Sequence, residues 1–119
     1  MKAVVAASRH WMDGDAIRKC LVSLPAASTV IVSNRPGGDT LVAKIAEEEL
    51  ALRVEHFDAD DDASFRKAMI ERINDEVDSA YFFCVENSEV EFFVSKFART
   101  YRIQTQVVVG SYKAELYQS

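Results

Sequence analysis

The groups able to handle an anion gather in two short stretches. The first, Ala7-Ser8-Arg9-His10-Trp11-Met12-Asp13, sets a hydroxyl, a guanidinium and a large aromatic close together. Arg9 offers a planar fork of N–H donors that fits a phosphate. Trp11 either stacks on a nucleobase or caps the core, and His10 reads as a hydrogen-bonded surface histidine. The second stretch, Ser33-Asn34-Arg35-Pro36-Gly37-Gly38-Asp39-Thr40, holds two of the chain's 4 glycines side by side. Pro36-Gly37 suits the central positions of a type II turn, with Gly37 at positive φ. Gly38 permits a close backbone approach, and Asp39 and Thr40 are able to cap the helix that follows. Exposed backbone N–H groups at that helix start, with Arg35 beside them, make an anion site.

Alternating elements position these turns. Lys2–Ala7 is a short apolar strand. Residues 13–24 have helical spacing, with Ile17, Cys20, Leu21 and Leu24 on one face, Asp13 as N-cap and Pro25 as stop. Thr29–Ser33 is β-branched and short, a second strand. Residues 39–52 form a helix that buries Leu41, Val42, Ile45 and Ala46 and leaves Glu47-Glu48-Glu49 as a solvated face. Arg53–Phe57 is a more polar strand, as expected at a sheet edge. The acidic run 58–62 is a solvated loop, since it lacks the glycine and distal glutamate of a calcium loop. Helices are expected over 63–77 and 89–101, strands over 80–85 and Gln104–Val109, and an apolar tail over 110–119. Five strands alternating with four helices predict an α/β, Rossmann-like three-layer sandwich. Its five-stranded parallel sheet has the order 3-2-1-4-5, and residues 1–119 form one domain. The switch point, where ligands bind in such sheets, then falls between the first and fourth strands.

The bulk numbers bound the partners. A net charge of −5 and a pI near 5.0 argue against nucleic acid or an anionic membrane as partner. No apolar run approaches the roughly 20 residues of a membrane span. Arg9 and His10 interrupt the apolar start too early for a signal peptide. Cys20 and Cys84 read as two buried thiols, and the two histidines have no ligand or base spacing. The expectation is a cytoplasmic protein without a metal or resident cofactor.

The turns together resemble a family. Ala7-Ser8-Arg9-x-Trp11-x-Asp13 is similar to the G-S-R-[DH]-[FW]-x-D opening of the SLOG superfamily, in its YspA-like branch. Gly38-Asp39-Thr40-Leu41 with Ala43 resembles that branch's second motif, G-G-A-R-G-A-D-x-L-A, and Phe57-Asp58-Ala59-Asp60 resembles its F-P-A-D-W. The resemblance implies a Rossmann-like fold that binds a nucleotide or nucleotide-derived small molecule. It places Ser8, Arg9, Gly38 and Asp39 on the ligand side. With the residues singled out above, the candidate ligand-binding set is Ser8, Arg9, Trp11, Arg35, Gly37, Gly38 and Asp39. The branch's later G-x-x-G-T motif is matched only by Glu86-Asn87-Ser88-Glu89-Val90-Glu91, which has no glycine.

Three functions follow as expectations. The first is a binding module for a nucleotide-derived or other phosphate-bearing small molecule. The second is a protein-interaction module on a decayed nucleotide-binding fold, using exposed aromatics among Phe92, Phe93, Tyr112 and Tyr117. The third is a nucleotide N-glycosidic-bond hydrolase with Glu89 or Glu91 as its carboxylate. Phe92, beside the inward-facing Phe93, and the apolar tail with Tyr112, Leu116 and Tyr117 also point to a homodimer.

Overall fold

The computed structural model describes residues 1–8, 10–59, 67, 77–85 and 104–109. Arg9 lies outside the described residues. So do residues 60–62 of the acidic run, the helix expected over 63–77 apart from Lys67 and Val77, the helix expected over 89–101, and the tail.

The β-branched and small apolar runs form strands where expected. They are β1 (Lys2–Ala7), β2 (Thr29–Ser33), β3 (Arg53–Phe57), β4 (Ser79–Cys84) and β5 (Gln104–Val109). The strand β4 begins one residue earlier than expected, because Ser79 pairs with both Ala3 and Gln104. All four strand pairings are parallel, and the order is β3-β2-β1-β4-β5. The polar strand β3 lies at an edge, whereas β4 is buried along its whole length.

Helix α1 (Gly14–Val22) starts at Asp13, whose carboxylate accepts from the amides of Asp15 and Ala16 at 3.1 and 3.2 Å. Helix α2 (Gly38–Lys44) runs on into a wider π-helical turn, Ile45–Glu49, in which Leu50 N–H donates to the Ile45 carbonyl. The segment closes at Ala51, with φ of 51°. Glu47, Glu48 and Glu49 are exposed as expected, but two of them have partners. Glu49 pairs with Arg18 of α1 at 2.7 Å, and Glu47 meets His56 of β3 at 3.1 Å.

Two apolar clusters sandwich the sheet. Ile17 and Leu21 of α1 and Val42, Ile45 and Ala46 of the α2 segment pack on Ala3, Val5, Ala7, Val30, Val32, Tyr81 and Phe83. The opposite face carries Val4, Ala6, Ile31, Ala80, Phe82 and Cys84, all buried. This alternation of side chains across β1 and β4 is the two-residue period of a strand covered on both faces. Both α1 and α2 lie on one side, as right-handed crossovers moving in one direction along the sheet require. The chain then reverses, and β4 joins the other side of β1. That reversal sets the carboxyl ends of β1 and β4 next to each other.

Candidate functional site

At the reversal, β1 and β4 stay paired to the end. Ala7 sits opposite Phe83, and Ser8 N–H donates to the Phe83 carbonyl at 2.8 Å. On its other flank β1 parts from β2. Their register runs only from Lys2–Thr29 to Val4–Ile31. The start of α2 lies against the end of β1 on this flank, and the Asp39 carboxylate supplies the missing acceptor. Its Oδ1 takes the Ala7 amide at 2.8 Å.

Asp39 is fully buried and every partner donates to it. Besides Ala7 N–H, its Oδ2 accepts from the Ser33 hydroxyl and from Arg35 Nε at 3.1 Å. Burial pushes the carboxyl up from its ordinary value, and the Arg35 charge and the Ser33, Ala7 and Arg35 hydrogen bonds pull it only part of the way back. A ring of donors is the environment of an ionised carboxylate. The Arg35 guanidinium is held from two sides, since one terminal nitrogen also donates to the Ala7 carbonyl at 3.2 Å. Its side chain is 11% exposed.

These contacts correct the expected helix cap. Asp39 does not cap α2, because its carboxylate is engaged with β1, β2 and Arg35. Thr40 does not cap it either; its hydroxyl turns back to the Arg35 carbonyl at 3.1 Å. The N-cap is Gly37, with no side-chain hydrogen bond.

Gly37 has the expected positive φ, 96°, but ψ is −128°, which is not the value near 0° of a type II turn. The chain passes straight from Gly37 into the helix, with Leu41 N–H donating to the Gly37 carbonyl. Gly38 does allow a close approach, and what approaches is the chain itself. A Cβ there would lie 2.1 Å from the Ser8 carbonyl oxygen and 2.6 Å from Ala7 Cβ. Gly38 and Asp39, placed on the ligand side by the family resemblance, therefore face inward and lock α2 to β1.

Of the two roles open to Trp11, the geometry displays packing. The residue is 4% exposed, its ring centroid is 5.3 Å from that of Phe83, and its indole N–H donates to the Asp13 carbonyl. A ring so covered offers no face for a base to stack on. Ser8 is buried at the end of β1 and its hydroxyl accepts from the His10 amide at 3.3 Å, while His10 is exposed. The structure thus brings Ser8, Trp11, Arg35, Gly38 and Asp39 together around the end of β1, with Gly37 exposed just before them.

Two contributors escaped the sequence reading. Ser33 is a hub, donating to Asp39 and accepting from the Arg35 amide at 3.1 Å. Asn34 joins the exits of β2 and β3. It donates to Asp58 at 2.6 Å and accepts from the Ala59 amide at 3.1 Å. A local signal was available for Ser33, since a serine at a strand end often bonds the backbone amide two residues on, as it does with Arg35; the partners of Asn34 lie across the sheet at the exit of β3, where no local pattern points to them. The thiols also differ from each other. Cys84 is buried as expected, but Cys20 is only partly so, with its thiol pushed up to about 11 by burial.

No family model, curated protein or solved structure matches the chain.

Proposed function

We propose that the chain is a binding module for a nucleotide-derived or other phosphate-bearing small molecule, seated at the carboxyl ends of β1 and β4. One observation carries this reading: the Arg35 guanidinium is fixed by Asp39 and the Ala7 carbonyl beside the switch point of a 3-2-1-4-5 sheet. Ligands of open α/β sheets sit at that point. A guanidinium already oriented loses little freedom when it meets a phosphate. In this reading Arg35 meets the ligand and the family resemblance adds Ser8 and Arg9, while Trp11, Gly37, Gly38 and Asp39 hold the shape of the site. The likeness to the SLOG superfamily belongs to the same proposal. So do a cytoplasmic location, which two free thiols suit, and a homodimer built with Phe92. No reaction is assigned.

Thermal-shift and calorimetric titration with nucleotides, ADP-ribose and inorganic phosphate tests the proposal. A true ligand at a hundred times its Kd stabilises the fold by about 2.7 kcal/mol. Arg9→Ala weakens that effect. A chain that none of these compounds stabilises, with Arg9→Ala behaving as wild type, contradicts it.

A second reading, a protein-interaction module on the same fold, is favoured by a different observation. The space at Gly38 is filled by Ala7 and Ser8 rather than left for a ligand. Sedimentation of wild type and Phe92→Lys tests the homodimer. A monomer unchanged by the substitution rejects it.

A further inference from the structure

On the β4 side the sheet ends at β5, Gln104-Thr105-Gln106-Val107-Val108-Val109, which carries no charged residue. Proteins protect such edges with charges, prolines, bulges or a cover, because bare backbone groups pair with other chains. The phase of those groups follows from β1. Ser8 N–H donates to the Phe83 carbonyl, so Phe83 turns its backbone groups to β1 and Phe82 turns its own to β5. Phe82 sits opposite Val107, and in a parallel ladder its groups meet Gln106 and Val108. Val107 and Val109 therefore turn their N–H and C=O groups outward, where no described strand pairs with them. The side chains divide as well. Val107 packs toward the Val4, Ala6 and Phe82 face, while Val108 lies on the Val5 and Phe83 face, beside an exposed Gln106.

The sequence that follows matches this edge in link, phase and face. Gly110-Ser111 suits the two-residue link of a type II′ hairpin, with glycine at its first position. Tyr112-Lys113-Ala114-Glu115-Leu116 alternates apolar and charged residues, as a half-buried strand does. A two-residue link sets Val109 opposite Tyr112 and Val107 opposite Ala114 as hydrogen-bonded pairs, and these are the β5 residues whose groups face outward. Residues opposite each other share a face. Ala114, with Tyr112 and Leu116 on either side of it, thus extends the apolar Val107 face, and Lys113 and Glu115 fall on the side of the exposed Gln106. A one-residue slip would put both charges on the apolar face. From this we infer that residues 112–117, outside the described ones, close the β5 edge as an added antiparallel strand of the same chain. Tyr112 and Leu116 then serve their own chain rather than a dimer, and Lys113 and Glu115 give the new outer edge the charges that β5 lacks. The inference does not rest on the binding reading.

Nuclear Overhauser contacts in the full, isotope-labelled chain test it. Hα–Hα contacts are expected between Val108 and Lys113 and between Gln106 and Glu115, the pairs without mutual hydrogen bonds, together with slow exchange of the Val107 and Ala114 amides. A mixture of labelled and unlabelled chains reports whether those contacts lie within one chain. Contacts between chains overturn the inference in favour of a second copy. Helical amide-to-amide contacts over residues 112–117, or no contact between them and β5, overturn it outright. Gly110→Val puts a β-branched residue at the positive φ of the turn. Exchange of the Ala114 amide is then expected to quicken by about tenfold or more while the Val4 amide stays protected. An unchanged Ala114 rate overturns the hairpin. If the variant does not fold, the wild-type contacts decide alone.

Discussion

The Asp39 carboxylate stands in for a sheet rung: it accepts the Ala7 amide at 2.8 Å where β2 has already left β1. This bond ties the first turn of α2 to the end of the central strand. It also fixes Arg35, which reaches over the Ala7 carbonyl from the same anchor. The geometry of the switch point on the β2 side therefore depends on one buried ion pair and one serine.

Breaking that pair from either side leaves a buried charge without its partner. Asp39→Ala is expected to destabilise the fold by about 3–5 kcal/mol. Arg35→Ala acts in the same direction. Because both remove the same contact, the double variant is expected to cost about 1–3 kcal/mol less than the sum. Urea unfolding of the four proteins measures this. Strict additivity shows that the pair is not coupled.

The adjacent glycines answer to different constraints. Gly38→Ala places a Cβ 2.1 Å from the Ser8 carbonyl oxygen, against backbone that has little room to yield. It is expected to cost at least about 3 kcal/mol, the upper range of overpacking. Gly37 is exposed, so its constraint is conformational alone. At φ 96° and ψ −128° it lies outside the left-handed helical well that asparagine visits. Gly37→Ala and Gly37→Asn are thus expected to cost a similar amount, about 1–3 kcal/mol. A well-tolerated Gly37→Asn beside a costly Gly37→Ala contradicts the turn described here.

Much of the scaffold was legible. Four of the five strands have the bounds read from the sequence, and Asp13 caps α1 as its position before the helix suggests. What was not legible depends on tertiary pairing. Asp39 two residues into a helix looks like a cap. Nothing local reveals that the Ala7 amide, far away in sequence, lacks a rung. The Gly38 neighbour is hidden for the same reason, since the sequence shows that something comes close but not that it is β1. Trp11 was ambiguous because a ring at a strand end serves a ligand or a core equally well until Phe83 is placed beside it.

An acid-side test follows from the link between α1 and the π-helical turn. Arg18 donates to Glu49 at 2.7 and 3.1 Å, and these bonds hold the Glu49 carboxyl below its ordinary value of 4.5, against a smaller opposing effect of burial. A folded value below the unfolded one means that the contribution is complete above pH 4.5 and is lost as pH falls through the folded value. Denaturation midpoints of wild type and Glu49→Gln are expected to differ at pH 7 and to converge below the carboxylate range. A gap that persists at low pH contradicts the assignment.

The thiols should respond separately. With its thiol at about 11, Cys20 is protonated at neutral pH. Its alkylation rate is expected to climb about tenfold per pH unit until the pH nears that value. Cys84, 1% exposed, is expected to react only on unfolding. Mass spectrometry after timed iodoacetamide exposure resolves the two, and rapid labelling of Cys84 in the native protein contradicts its burial.

The central claim, that a phosphate-bearing ligand sits at the end of β1, is tested most directly by amide chemical-shift mapping. The isotope-labelled chain is titrated with nucleoside monophosphates and inorganic phosphate. The account predicts saturable shifts at Ser8, Arg9, His10 and Arg35, with the amides of Val22 and Ser23, at the far end of α1, unmoved. Shifts scattered over the surface without saturation, or confined to residues away from the ends of β1 and β4, contradict it.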